Sequence, residues 1–186
     1  DADVTLLETQ DRLLSRQLNA DAGSMLHDYV AERGISVRYG ARTVEILGDD
    51  RVWGVALDSG TVLSADLVVV AAGVRPNHRL AKCAGLAVNQ GILVNKWLRT
   101  SHPDVFAAGD VAEFEGAVCG QWEPARLMGT VAGANALGLE REFTSLPRAN
   151  TLKVLGLNVF SIGTVTPQSQ GSTVVELGAA PGSWTQ

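Results

Sequence analysis

The sequence predicts an α/β fold, and three segments carry that expectation. Residues 1–39 read as strand, helix, strand; residues 66–71 (DLVVVA) form an unbroken apolar run; residues 105–110 (VFAAGD) set a short apolar strand before a glycine and an acid. Strands alternating with a helical pattern point to parallel pairing. An unbroken apolar run is what a strand buried on both faces requires. With 46% hydrophobic and 19% charged residues among 186, the chain suits a globular fold with a sizeable core.

The elements follow in order. Val4, Leu6 and Leu7 make a first strand that ends at Glu8. From Asn19 to Arg33, the apolar residues Ala22, Met25, Leu26, Tyr29 and Val30 recur at the spacing of one helix face. Asn19 suits the N-cap of that helix and Gly34 its stop. Residues 35–39 return as a strand, and residues 43–47, 51–57 and 61–64 make a meander across turns at 48–50 and 58–60. After the buried strand expected at 66–71, Gly73, Pro76 and Asn77 break and turn the chain. A short helix is expected at 80–85, and residues 91–94 with Leu98 as a strand pair. A longer helix starts at Gln121, has Pro124 in its first turn, where a missing N–H is harmless, and stops at Gly138. From Asn150 the pattern alternates again (Leu152, Val154, Leu157, Val159, Phe160, Ile162), and Val174, Val175 and Leu177 predict one more strand.

Composition narrows the function. A net charge of −5 and a pI near 5.1 argue against nucleic acid or an anionic membrane as the main partner. No apolar run approaches the ~18 residues that span a bilayer. Cys83 and Cys119 are far apart and form no C-x-x-C, and His27, His78 and His102 cluster with nothing. Neither a disulfide framework nor a metal site is expected, and a cytoplasmic location is the default. Both cysteines read as structural, with Cys83 expected to be buried.

Two local features suit a ligand. Small residues at 107–109 let a backbone come close to one, and Asp110 supplies a short carboxylate that accepts hydrogen bonds from sugar-like hydroxyls. The helix after Gln121 presents unpaired N–H groups and a partial positive charge in its first turn. Glu8 is a third candidate, because an acid at the end of such a strand holds a ribose 2′-OH in dinucleotide folds.

The stretch Thr100–Asp110 (TSHPDVFAAGD) closely resembles the second flavin-binding motif of the two-dinucleotide-binding-domain flavoproteins, the pyridine nucleotide-disulfide reductase superfamily. Residues 71–77 (AAGVRPN) resemble the A-x-G-x-x-P-N-like crossover of that family, and residues 151–163 (TLKVLGLNVFSIG) the start of its interface domain. The likeness is strongest to the branch of NADH-dependent nitrite reductases and rubredoxin or ferredoxin reductases. The resemblance implies a partial, three-layer ββα, Rossmann-like α/β fold followed by the start of an α+β interface domain. Residues 1–73 would be the later part of an NAD(P)-binding domain, 74–145 the later part of an FAD-binding domain, and 146–186 a truncated C-terminal domain.

It further implies FAD and NAD(P)H as cofactors, with NADH favoured by the Glu8 carboxylate, although Arg12 and Arg16 lie close enough in sequence to soften that preference. The implied cofactor-binding residues are Gly109, Asp110 and Val111, Trp122 and Glu123, Gly73 and Glu8. Asp110 would hold the ribityl chain, the 122–124 backbone would lie near the flavin ring, and Gly73 would leave room beside the cofactors. No catalytic side chain is expected. The implied activity is electron transfer from NAD(P)H through FAD to a rubredoxin, a ferredoxin or a sirohaem/iron-sulfur module, with a homodimer possible. The chain contains no G-x-G-x-x-G, so the resemblance is to a piece of a longer enzyme, inactive in isolation. The alternative is a non-catalytic module of the same fold that acts in protein interaction.

Overall fold

A computed structural model describes residues 2–145 and 149–163. The chain divides into two compact units: Asp1–Val70 together with the segment from Pro147 onward, and Ala71–Leu146.

In the first unit, β1 (Val4–Leu7) pairs in parallel with β2 (Ile35–Arg38), joined by helix α1 (Ala20–Ala31). Asn19 caps α1 as its sequence position requires: its side-chain oxygen accepts the Ala22 N–H at 2.9 Å. Ala22, Leu26 and Val30 form the buried stripe. Met25, expected on that stripe, is instead exposed, because it lies roughly 100° round the helix from Leu26.

The meander forms as β3 (Thr43–Gly48), β4 (Val52–Leu57) and β5 (Val62–Ser64), all antiparallel, with bulges near both ends of the β3–β4 ladder. The alternating segment after 149 becomes a hairpin of β9 (Ala149–Val154) and β10 (Leu157–Ile162). Leu157 and Val159 point inward and share a core with Leu13, Leu18, Leu26 and Val30. The Tyr29 hydroxyl donates to the Leu155 carbonyl at 2.7 Å and pins the hairpin turn to α1.

One expected element is absent. Residues 66–71 form no strand, and Leu67, Val69 and Val70 are 78%, 81% and 70% exposed. Only Val68 packs inward, against the small core of Ala41, Val55 and Leu57. Apolar content alone does not make a strand: the backbone needs a neighbouring ladder, and no described strand pairs with this run.

The second unit holds α2 (Arg79–Cys83), β6 (Ile92–Val94), a 3₁₀ turn at Gly109–Val111, β7 (Ala112–Phe114), β8 (Ala117–Val118) and α3 (Trp122–Ala136). β6 does not pair with a strand at Leu98. It runs parallel to β7, just beyond the 3₁₀ turn. Leu98 sits in a bend with φ +59 and is fully buried. Left-handed strain costs about 1–2 kcal/mol, and burying a leucine returns about 1.5–3 kcal/mol, so packing holds the bend.

Phe114 and Phe143 meet edge to face at 5.1 Å in a core that includes Met128 and Val131 of α3. Cys83, expected inside, is exposed. Ala81 is the residue of α2 that enters the core, and Cys83 lies roughly 200° round the helix from it. Cys119 is half-buried, with its Sγ 3.7 Å from the Met128 Sδ. The strand expected at 174–177 lies outside the described residues.

Candidate cofactor-binding site

The segment 99–111 is held by its own polar groups. The Thr100 hydroxyl accepts the His102 N–H at 3.2 Å, and Asp104 N–H reaches the His102 ring at 3.3 Å. A bridge between Arg99 and Phe106 closes this turn, after which Ala107 enters the core. The chain then runs extended through Ala108 into the 3₁₀ turn. Asp110 therefore stands at the head of β7, not at the end of a strand, as the sequence suggests.

Gly109 has φ +76, and a β-carbon on it would lie 3.6 Å from that of Ala125 in the first turns of α3. The turn at Gly109–Val111 thus packs against α3 at Ala125. The Asp110 side chain is exposed and makes no hydrogen bond or ion pair with any described residue. Helix geometry leaves the N–H groups of Trp122 and Glu123 without intrahelical acceptors; the first helical bond is from Ala125 N–H to the Gln121 carbonyl. Trp122 is 81% exposed, so it does not pack within the described fold. The Glu123 carboxylate pairs with Arg126 at 2.9 Å, and this pairing raises the Arg126 pKa. An exposed carboxylate can accept hydrogen bonds from a hydroxylated molecule, and the first turn of a helix favours negative charge near it.

Gly73 belongs to the same unit, with φ +88 and nothing within 4 Å of where a β-carbon would stand. Backbone conformation, not crowding, calls for glycine there. Glu8 lies in the other unit. Its N–H donates to the Arg38 carbonyl and its carbonyl accepts from Ala41 N–H, each at 2.9 Å, which fixes the end of β1. Its Oε1 accepts Gln10 N–H at 2.9 Å and the Thr9 hydroxyl at 3.3 Å. Oε2 keeps no partner among the described residues.

Two supporting residues escape a reading by motif. Glu113 on β7 is buried, accepting from Asn89 Nδ2 and Gly91 N–H, each at 2.9 Å. These two bonds, the Gly91 one foremost, hold its carboxyl below the usual range against the opposing effect of burial. An acid inside the apolar stretch Val111–Phe114 is the signal that marks it. Asn135 is also buried: it donates to the Trp97 and Arg141 carbonyls and accepts Arg141 N–H, all at 2.8 Å, and so anchors the end of α3.

No group of three or more potential metal ligands occurs among the described residues, and none of their helices is long and apolar enough to cross a membrane. Residues 1–136 match the family model for pyridine nucleotide-disulphide oxidoreductases. Nitrite reductase [NAD(P)H] of Bacillus subtilis is 37% identical over 162 residues, which are 87% of this chain and 20% of that protein. NADH-rubredoxin oxidoreductase of Clostridium acetobutylicum is 35% identical over 152 residues, 82% of this chain and 37% of that one. Among solved structures, an FAD-dependent pyridine nucleotide-disulphide oxidoreductase from Desulfovibrio vulgaris superposes with a TM-score of 0.78 at 29% identity, over 87% of this chain and 43% of that one. The chain therefore has the α/β fold of these proteins, while spanning less than half of each.

Proposed function

Because this chain belongs to the pyridine nucleotide-disulphide oxidoreductase family, we propose that it is part of an FAD-dependent enzyme that carries electrons from NADH to an acceptor protein or domain. The observation that carries this reading is the Asp110 carboxylate, exposed and unpaired among the described residues, on a turn whose glycine packs against the start of α3. That arrangement fits a flavin on two chemical grounds. A carboxylate accepts hydrogen bonds from the hydroxyls of a ribityl chain, and a helix N-terminus favours negative charge beside it.

Flavin, when bound, supplies hydride acceptance from nicotinamide and onward electron delivery. The chain's own residues bind and orient. Asp110 holds the polyol, the N–H groups of Trp122 and Glu123 favour charge at the ring edge, and Gly73 keeps the crossover in its left-handed bend. Glu8 offers a carboxylate oxygen to a ribose 2′-OH and repels a 2′-phosphate, which favours NADH over NADPH. The acceptor is a rubredoxin, a ferredoxin or a sirohaem/iron-sulfur module. The names of the similar nitrite and rubredoxin reductases support that class. Residues 1–73, 74–145 and 146–186 divide among nicotinamide, flavin and interface domains, in an enzyme of the cytoplasm that is a possible homodimer.

The test is the visible spectrum of the 186-residue chain after incubation with FAD and gel filtration. A retained flavin band shows that Asp110 and α3 suffice to hold the cofactor. A colourless chain means that the remainder of a longer enzyme is needed to hold flavin, and that these residues do not form the site alone.

A further inference from the structure

Arg12 is the first arginine after Glu8, and it lines a pocket of about 260 Å³ with Asp11, Gly23, Ser24, His27 and Tyr39. The pocket lies close to the Glu8 charge: the Tyr39 phenol is raised in pKa by its burial and then by the carboxylates of Glu8 and Asp28. An arginine in such a place ordinarily receives a 2′-phosphate. Here most of its donors are already engaged. Nη1 donates to both oxygens of Asp11, at 3.0 and 3.1 Å, Nε to the Leu18 carbonyl at 3.3 Å, and Nη2 to the Ser15 carbonyl at 3.5 Å. Its stem lies on α1 at Gly23, where a β-carbon would come within 3.0 Å of the Arg12 Cδ.

We infer that Asp11 is a specificity-determining residue: it ties Arg12 into the 11–18 loop and so denies a 2′-phosphate its cationic partner. The inference rests on the reading of Glu8 as the ribose ligand and deepens it. Glu8 alone disfavours NADPH by repulsion, whereas the Asp11–Arg12 pair withholds the compensating attraction. The other polar groups on the pocket walls are Ser24 and the His27–Tyr39 pair, whose ring nitrogen and hydroxyl lie 2.9 Å apart; none of them is a guanidinium or ammonium that would pair with a dianion.

The experiment titrates NADH and NADPH into the ¹⁵N-labelled chain, following the amides of Glu8 and Tyr39, in wild type, Asp11→Ala and Asp11→Ala/Arg12→Gln. Wild type is expected to bind NADH more tightly. In Asp11→Ala, an exposed position that leaves the core untouched, the NADH:NADPH preference should shrink about twofold to fivefold as the guanidinium is released. The double variant should restore the wild-type ratio. An unchanged ratio in Asp11→Ala, or a shrunken one that persists in the double variant, overturns the inference and leaves the Glu8 reading intact. Failure of the wild-type chain to bind either nucleotide shows that these residues do not hold a nicotinamide nucleotide by themselves, and overturns the inference for this chain.

Discussion

Gly109 and Ala125 stand 3.6 Å apart, measured from an ideal β-carbon on the glycine, and through this pair the Asp110 turn rests on α3. The distance is an ordinary van der Waals contact, so an alanine at 109 fits in space. Its φ of +76 does not suit alanine. Gly109→Ala is therefore expected to destabilise by about 1–2 kcal/mol through backbone strain, measured as a lower urea midpoint with an unchanged m-value.

Asp110→Ala separates binding from folding. The carboxylate is exposed and has no partner among the described residues, so stability should change by no more than about 0.5 kcal/mol. Flavin retained through gel filtration should fall at least about tenfold, the loss of one or two hydrogen bonds to a charged acceptor. Equal retention by wild type and variant would remove Asp110 from the site.

Glu113 makes stability depend on pH in a defined direction. Its folded pKa lies below the ordinary 4.5 because Gly91 N–H and Asn89 donate to the charged form. Its contribution is fully present above the unfolded value and is lost as pH falls through the lower, folded value. Urea midpoints of wild type and Glu113→Gln should therefore differ most near neutrality and converge in acid. A constant gap would contradict the assignment.

Asn135→Leu removes three hydrogen bonds and leaves the Trp97 and Arg141 backbone groups without that partner. Each of these part-buried bonds contributes about 0.5–1.5 kcal/mol, so a loss of about 1.5–4.5 kcal/mol is expected in chemical denaturation. Hydrogen exchange should quicken first at Arg141, whose N–H the Asn135 oxygen protects.

Much of this molecule was legible from local chemistry. The periodicity of Ala22, Leu26 and Val30, the Asn19 cap and the turn residues of the meander act over a few positions, and each forms as expected. At 105–110 the sequence suggests a strand ending in Asp110, whereas the fold makes a single bridge at Phe106 and a 3₁₀ turn at Gly109–Val111. The tertiary structure alone decided what depends on distant partners. Residues 66–71 are apolar enough for a buried strand, yet without a neighbouring ladder they run exposed and unpaired. Glu113 meets Asn89 from 24 positions away and Asn135 meets Trp97 from 38, separations at which no periodicity speaks. Arg12 looks in sequence like a free cation for a phosphate, and only the fold of residues 11–18 against Gly23 turns it inward. Local propensity is written in adjacent residues; the pairing of a backbone edge or a buried charge depends on what the rest of the chain brings to it.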